Sequence, residues 1–221
     1  MDYVSLIGDQ FEQNGNRKIA ERQESFLKNK FQLFGIMTPL RKEIQKPYLT
    51  KQNLPAKADL TKITEELWAK SQREFHYFAI DLNRRYIKKI EFEDIHLFEK
   101  MIVNNSWWDT VDLIAINLVG NYFKLFPEQI QPVTLRWLET ENLWLQRTCL
   151  IFQLKYKEAI DTKLLSDYVL LLKDTKEFFL NKAIGWVLRE YTRTNPEWVL
   201  DFVGKYELSN LSRKEALRLI N

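Results

Sequence analysis

Three stretches of this chain begin alike. Trp107-Trp108-Asp109-Thr110-Val111-Asp112, Trp144-Leu145-Gln146-Arg147-Thr148-Cys149 and Phe179-Leu180-Asn181-Lys182-Ala183-Ile184 each open on a large aromatic, turn polar and enter an apolar run. The openings lie 37 and 35 residues apart. An earlier copy fits Glu74-Phe75-His76-Tyr77-Phe78-Ala79, 33 residues before the first, and a partial one falls near Arg213-Lys214-Glu215-Ala216. Polar residues recur at matched places: Asp109 with Gln146 and Asn181, Thr110 with Arg147 and Lys182. A period in the thirties to forties in a helical chain is that of stacked helix pairs. Chance matching among amphipathic helices is the competing account.

Helical spacing dominates the rest of the chain, and glycine and proline are scarce at six each. Thr38-Pro39 reads as an N-cap followed by a first-turn proline, and Asn195-Pro196-Glu197 repeats that grammar, with Gly204 as the expected C-cap. Residues 45–59 carry Pro47 and Pro55 and read as a connector. The expected fold is all-α: a HEAT-like helical-repeat solenoid with a concave basic groove, forming a single domain over 1–221. In such a stack, equivalent positions of successive repeats face one side. Sequence-distant Asp112, Arg147 and Trp186 could then meet.

Composition excludes more than it selects. A hydrophobic fraction of 45% and a charged fraction of 29% suit a globular protein. A net charge of +3 points to no partner by itself, so what matters is where the 33 Lys and Arg residues gather. No basic segment followed by a long apolar one opens the chain, and no apolar run reaches the ~18 residues of a membrane span. The expectation is a cytoplasmic protein. Cys149 is the lone cysteine, which leaves no intrachain disulfide or thiolate cluster. His76 and His96 do not stand in metal-binding spacing, and neither a GxGxxG nor a Walker A sequence occurs. Neither metal nor cofactor is expected.

Asp112 is the residue that asks for an explanation. It is flanked by Val111, Leu113 and Ile114, where a carboxylate costs free energy unless something pairs with it or uses it. Trp108 lies four residues earlier, so a helix puts an indole and an anion on one face. That combination suits a positively charged, sugar-like reaction centre. The alternative is a structural carboxylate. Arg147 can pair with Asp112 or can bind a phosphate through its planar fork. Trp186 has Lys182 four residues before it and Arg189 three after it, so two cations and an indole share a face, and Gly185 removes bulk beside the ring. A core indole with snorkelling neighbours is the alternative there. Asp109 and Asp112 are too close for paired-acid glycoside chemistry, and Asp109 reads better as a helix-start acid. Further basic clusters fall at Arg41, Lys42 and Lys46, at Arg84, Arg85, Lys88 and Lys89, at Lys155 and Lys157, and at Arg213 and Lys214. On one surface they would form a track for a polyanion.

Taken together, these segments resemble the AlkD-type DNA glycosylases of the DNA alkylation repair superfamily, built from HEAT-like repeats. The resemblance runs over nearly the whole chain, strongest from Phe31-Gln32-Leu33-Phe34-Gly35-Ile36 to Trp186-Val187-Leu188-Arg189-Glu190. Its most specific motif is Trp107-Trp108-Asp109-Thr110-Val111-Asp112. It implies hydrolytic release of positively charged alkylated purines, such as N3-methyladenine and N7-methylguanine, from duplex DNA. A monomer is the default expectation, since no interface signature stands out. Position by position the resemblance implies Asp112 as the catalytic carboxylate and Trp108 and Trp186 as indoles bracketing the lesion deoxyribose. Arg147, with Arg189 and Lys182, would contact the DNA. Phe26 falls where a relative has tyrosine, so a hydroxyl is missing there. The rival readings are a noncatalytic DNA-binding or structure-sensing repeat protein and a peptide-binding HEAT scaffold.

Overall fold

A computed structural model describes residues 2–220. Among the described residues it is helical throughout, with no strand and one isolated bridge between Gln32 and Gln72. The chain divides into two compact units, Met1–Glu91 and Phe92–Asn221.

The first unit contains α1 (Tyr3–Gln13), α2 (Arg17–Phe26), α3 (Thr38–Gln45), α4 (Leu60–Trp68) and α5 (Arg73–Arg84). Its core is aromatic: Phe11 and Phe78 are fully buried, and Phe11 stands edge-on to Phe75 at 5.6 Å. Glu74 is buried and accepts the backbone N–H groups of Phe34, Gly35 and Ile36, which ties the loop before α3 to α5. Gly35 sits at φ +85, a conformation that side chains resist. The expected connector after α3 is present, punctuated by short 3-10 turns at Pro47–Leu49 and Lys57–Asp59.

The second unit contains α6 (Asp94–Val103), α7 (Trp108–Ile114), α8 (Gly120–Leu125), α9 (Ile130–Glu139), α10 (Leu143–Ile151), α11 (Thr162–Leu172), α12 (Phe178–Thr192), α13 (Pro196–Lys205) and α14 (Asn210–Ala216). α7 runs into α8 through a π-helical turn, Ala115–Val119. α10 packs against both α7 and α12, and α14 lies against α12. These three contacts place every candidate residue of this unit.

The repeat expected from the aromatics has a cleaner register in the helix starts. α3, α5, α7, α10 and α12 begin at residues 38, 73, 108, 143 and 178, a constant step of 35 residues. The fifth residue of each is Lys42, Tyr77, Asp112, Arg147 and Lys182. In this register Asp112, and not Thr110, is the counterpart of Arg147. The alignment on Trp107 was displaced because that tryptophan caps α7, whereas Trp144 and Phe179 lie inside their helices.

Two helix ends differ by a residue or two from expectation. Met37 is the N-cap of α3, with Thr38 already inside it. α13 continues through Gly204 to a cap at Tyr206, while its start on Asn195 is as expected, the Asn195 side chain accepting from the Trp198 N–H.

Candidate functional site

α7 begins after a reversal of the chain. Asn105 adopts a left-handed conformation, φ 51, that asparagine tolerates better than most residues. Trp107 follows in extended geometry as the N-cap. One helical turn on from Trp108, the Asp112 side chain reaches the surface of α7 between buried Val111 and exposed Leu113. Trp108 is half-buried.

Arg147 meets Asp112 with a full fork. Its Nε donates to Oδ1 at 2.7 Å and its Nη2 to Oδ2 at 2.9 Å. Its third nitrogen, Nη1, donates to the backbone carbonyl of Phe179 at 2.5 Å. The arginine side chain is 4% exposed and the aspartate 13%. All three helix positions are thus spent on one arrangement: α7 supplies the acid, α10 the base and α12 a main-chain acceptor. Of the two roles open to Arg147 in the sequence, the structure places it in the pair. At 4% exposed, it presents little surface to a phosphate.

The pair is held by an aromatic cluster at the same helix ends. Trp107, Trp144 and Phe179 lie against each other, with ring centroids 5.1–5.6 Å apart, and Phe178 packs edge-on to Phe179. The aromatics that carried the sequence repeat are therefore mutual neighbours. They fix the first turns of α7, α10 and α12 relative to one another.

Burial pushes the Asp112 carboxyl above its ordinary value of 3.8, the Arg147 bonds and charge oppose that rise, and the Asp109 charge adds to it. A bidentate guanidinium, which does not lose its proton, favours the anion. The arrangement is an oriented carboxylate with little water around it and an indole one turn away.

A second ionic group is built from the cations that flank Trp186 along α12. Lys182 Nζ stands 2.7 Å from Glu215 Oε1, and Arg189 Nη1 stands 2.5 Å from Glu215 Oε2. The Lys182 bond, joined by the charges of Lys182, Arg189 and Arg218, holds the Glu215 carboxyl below its ordinary value against the effect of burial. Lys182 is 40% exposed and Arg189 21%. Trp186 itself is half-buried. Gly185 has a different use from the one expected. A Cβ there would collide with the Glu215 Cβ and lie 2.8 Å from the Ser212 carbonyl oxygen. The missing side chain therefore makes room for α14, which carries Glu215 to the two cations. Ser212 Oγ fastens that contact by donating to the Asn181 carbonyl at 2.8 Å.

Sequence reasoning missed Glu215 as a partner and the Phe179 carbonyl as an anchor. A third polar contact was also missed: Lys155 Nζ donates to Asn117 Oδ1 at 3.1 Å, on the π-helical turn that follows Asp112. Phe26 ends α2 in the first unit and is 68% exposed. Among the described residues no group of three or more His, Cys, Asp or Glu side chains is placed to hold a metal ion. Among these residues no helix is long and apolar enough to cross a membrane.

The fold and these residues define a helical-repeat protein with a sheltered, arginine-clamped carboxylate. The model for DNA alkylation repair enzymes matches residues 7–220, and the chain belongs to that family. A solved structure described as a predicted DNA alkylation repair enzyme from Enterococcus faecalis is similar over 94% of this chain and 97% of its own. The two share 30% sequence identity and a TM-score of 0.87. No curated protein matches the chain.

Proposed function

We propose that this family member is a monofunctional DNA N-glycosylase. It hydrolyses the N-glycosidic bond of cationic alkylated purines, N3-methyladenine and N7-methylguanine, in duplex DNA. The observation that carries this reading is the Asp112 carboxylate, sheltered yet oriented by Arg147, one turn from the Trp108 indole.

Alkylation at N3 or N7 places positive charge on the base. When the C1′–N bond breaks, its electron pair leaves with the base and neutralises that charge. The base needs no proton from the enzyme, so no general acid is required, and a single carboxylate is enough. The sugar becomes oxocarbenium-like, and Asp112 offsets its developing charge and orients the water whose oxygen bonds to C1′ and whose surplus proton passes by way of the carboxylate to solvent. Preorganised groups of this type are worth several kcal/mol of barrier. Trp108 and Trp186 offer π faces to the electron-poor sugar, each contact worth on the order of 0.5–2 kcal/mol. Because chemistry occurs at the deoxyribose, the reading needs no closed pocket for the base. Lys182 and Arg189, more exposed than Arg147, would hold phosphates and fix register without reading sequence.

The test is Asp112→Asn on duplex DNA containing N7-methylguanine. Release of free base should fall about 100-fold or more, the scale of losing one preorganised stabilising group, while DNA binding persists. Wild-type turnover in that variant would reject the role of Asp112. If the unaltered protein binds duplex DNA and releases no base, the noncatalytic DNA-binding reading stands; if it does neither, the peptide-scaffold reading does.

A further inference from the structure

The helix that carries Asp112 is irregular one turn further on. α7 and α8 form one helical run over 108–125, joined by the π-helical turn Ala115–Val119. At that turn the Gly120 N–H donates to the Ala115 carbonyl, five residues back instead of four. Such a turn holds one residue more than the α-helical turn it replaces. Two side-chain amides serve carbonyls there. Asn117 Nδ2 donates to the Leu113 carbonyl at 2.8 Å, and Asn121 Nδ2 to the Asn117 carbonyl at 2.7 Å. Each reaches four residues back, the span that a backbone N–H covers in a regular α-helix.

The turn is also gripped from outside, by the segment that follows α10. The Phe152 carbonyl oxygen fills the space left by Gly120, where a Cβ would stand 2.5 Å from it. The Tyr156 hydroxyl donates to the Gly120 carbonyl at 2.5 Å. Lys155, an exposed residue, sends its Nζ to Oδ1 of buried Asn117 at 3.1 Å. α10 and its tail therefore hold one helix at two points: Arg147 on Asp112, and residues 152–156 on the turn beyond it.

The extra residue has a geometric consequence. One residue is about 100° of α-helix. Suppose the turn became regular while Tyr122 and Phe123 kept α8 in the core, where both are fully buried. Every residue of α7 would then advance by one place. Leu113 would stand where Asp112 now meets Arg147, and Asp112 would take the buried place of Val111. Only one phase of α7 offers the acid an arginine, and the π-helical turn selects it.

We propose that this turn sets the phase of Asp112, and that Asn117 and Lys155 are positioning residues that keep the extra residue within it. Neither touches the carboxylate; both act through the helix. The consequence for base release rests on the proposed function, whereas the phase of the pair does not.

Lys155→Met with Asn117→Ala tests it, because it removes the outside grip and places a strong helix former in the turn. The readout is the NMR resonance of the Arg147 Nε–H, shifted and protected by its bond to Asp112 at 2.7 Å. In the double variant that resonance should lose its shift and protection. Base release should fall roughly 100-fold, the scale for a group misplaced by an ångström, with KM little changed. A second arm moves the acid one place. Asp112→Leu with Leu113→Asp should abolish the shifted resonance in the wild-type background and restore it in the double variant. A merely structural role for Asn117 and Lys155 would lower the unfolding midpoint and leave the resonance intact in the folded protein. That outcome overturns the proposal, as does a resonance that moving the acid fails to restore. If the double variant has no cooperative transition, Lys155→Met alone decides. Its resonance should weaken and Lys155→Arg should retain it; an unchanged resonance in Lys155→Met overturns the proposal. The resonance reads the pair without any chemistry. A wild-type protein that releases no base therefore defeats the glycosylase reading and leaves the phase argument standing.

Discussion

Asp112 is held and oriented in a sheltered place by Arg147, which turns each of its three nitrogens to an acceptor inside the fold. Removing one partner of such a pair leaves the other buried and uncompensated. Arg147→Ala should therefore cost about 3–5 kcal/mol of stability, measured by urea or thermal unfolding. Its effect on the salt slope of DNA binding should be small, since the guanidinium is already committed to Asp112. A slope lowered by a full phosphate, with stability intact, would instead mean that the arginine leaves the acid to meet DNA. The acid also sets a pH dependence. Burial raises its native value, so as pH climbs the native state holds this proton longer than the unfolded chain does. Its contribution to folding is thus favourable at low pH and is given up as pH rises through the window above 3.8. Catalysis runs the other way because it uses the anion. The profile of kcat/KM against pH should show an acid limb above 3.8 that Asp112→Asn abolishes along with the activity. A limb centred below that value would contradict the burial argument.

At the scale of the element, Gly185 and Gly204 make a controlled comparison. Both lie in helices, but a Cβ at Gly185 meets α14 whereas one at Gly204 meets nothing within 4 Å. Gly185→Ala should destabilise by about 1–3 kcal/mol through overpacking and loosen Glu215 from Lys182 and Arg189. Gly204→Ala should be neutral or stabilise by about 0.5–1 kcal/mol through helix propensity. Melting temperatures of the two variants decide it: that of Gly185→Ala should fall and that of Gly204→Ala should hold or rise. The same elements show what the sequence could and could not reveal. Helix content, the repeat and the Asp112–Trp108 face were legible because periodicity and residue type carry them. The Asp112–Arg147 pair was legible as one of two options, since both residues announce their charge. Glu215 was hidden because its partnership depends on how closely two helices approach, and that approach is set by a side chain that is absent. The repeat register slipped by two in one copy because an aromatic at a cap and an aromatic inside a helix look the same in one dimension.

For the whole molecule, every group shown to set Asp112 lies in the second unit: Arg147, Phe179 and the cluster of Trp107 and Trp144. That unit has its own core, including Val111, Ile114, Leu145, Ile151 and Ile184. A fragment of residues 92–221 should fold cooperatively and keep the Asp112–Arg147 pair, seen as a protected, shifted Arg147 Nε–H resonance. It should bind duplex DNA more weakly and with a shallower salt slope than the full chain, because the cations at Lys42, Lys46, Arg84 and Arg85 are gone. A fragment without a cooperative transition would show that the second unit depends on the first for stability. The charges argue the same point from the other side: a net +3 over 221 residues is no polyanion trap, and placement has to do what abundance does not.

The anchor of Arg147 is an oxygen of the main chain. No codon specifies it and none can delete it. Saturation mutagenesis at position 179 would record the loss of a ring and be blind to the acceptor. Exposing it requires backbone chemistry: an ester in place of the amide between residues 179 and 180 makes that carbonyl a poorer acceptor and leaves every side chain intact.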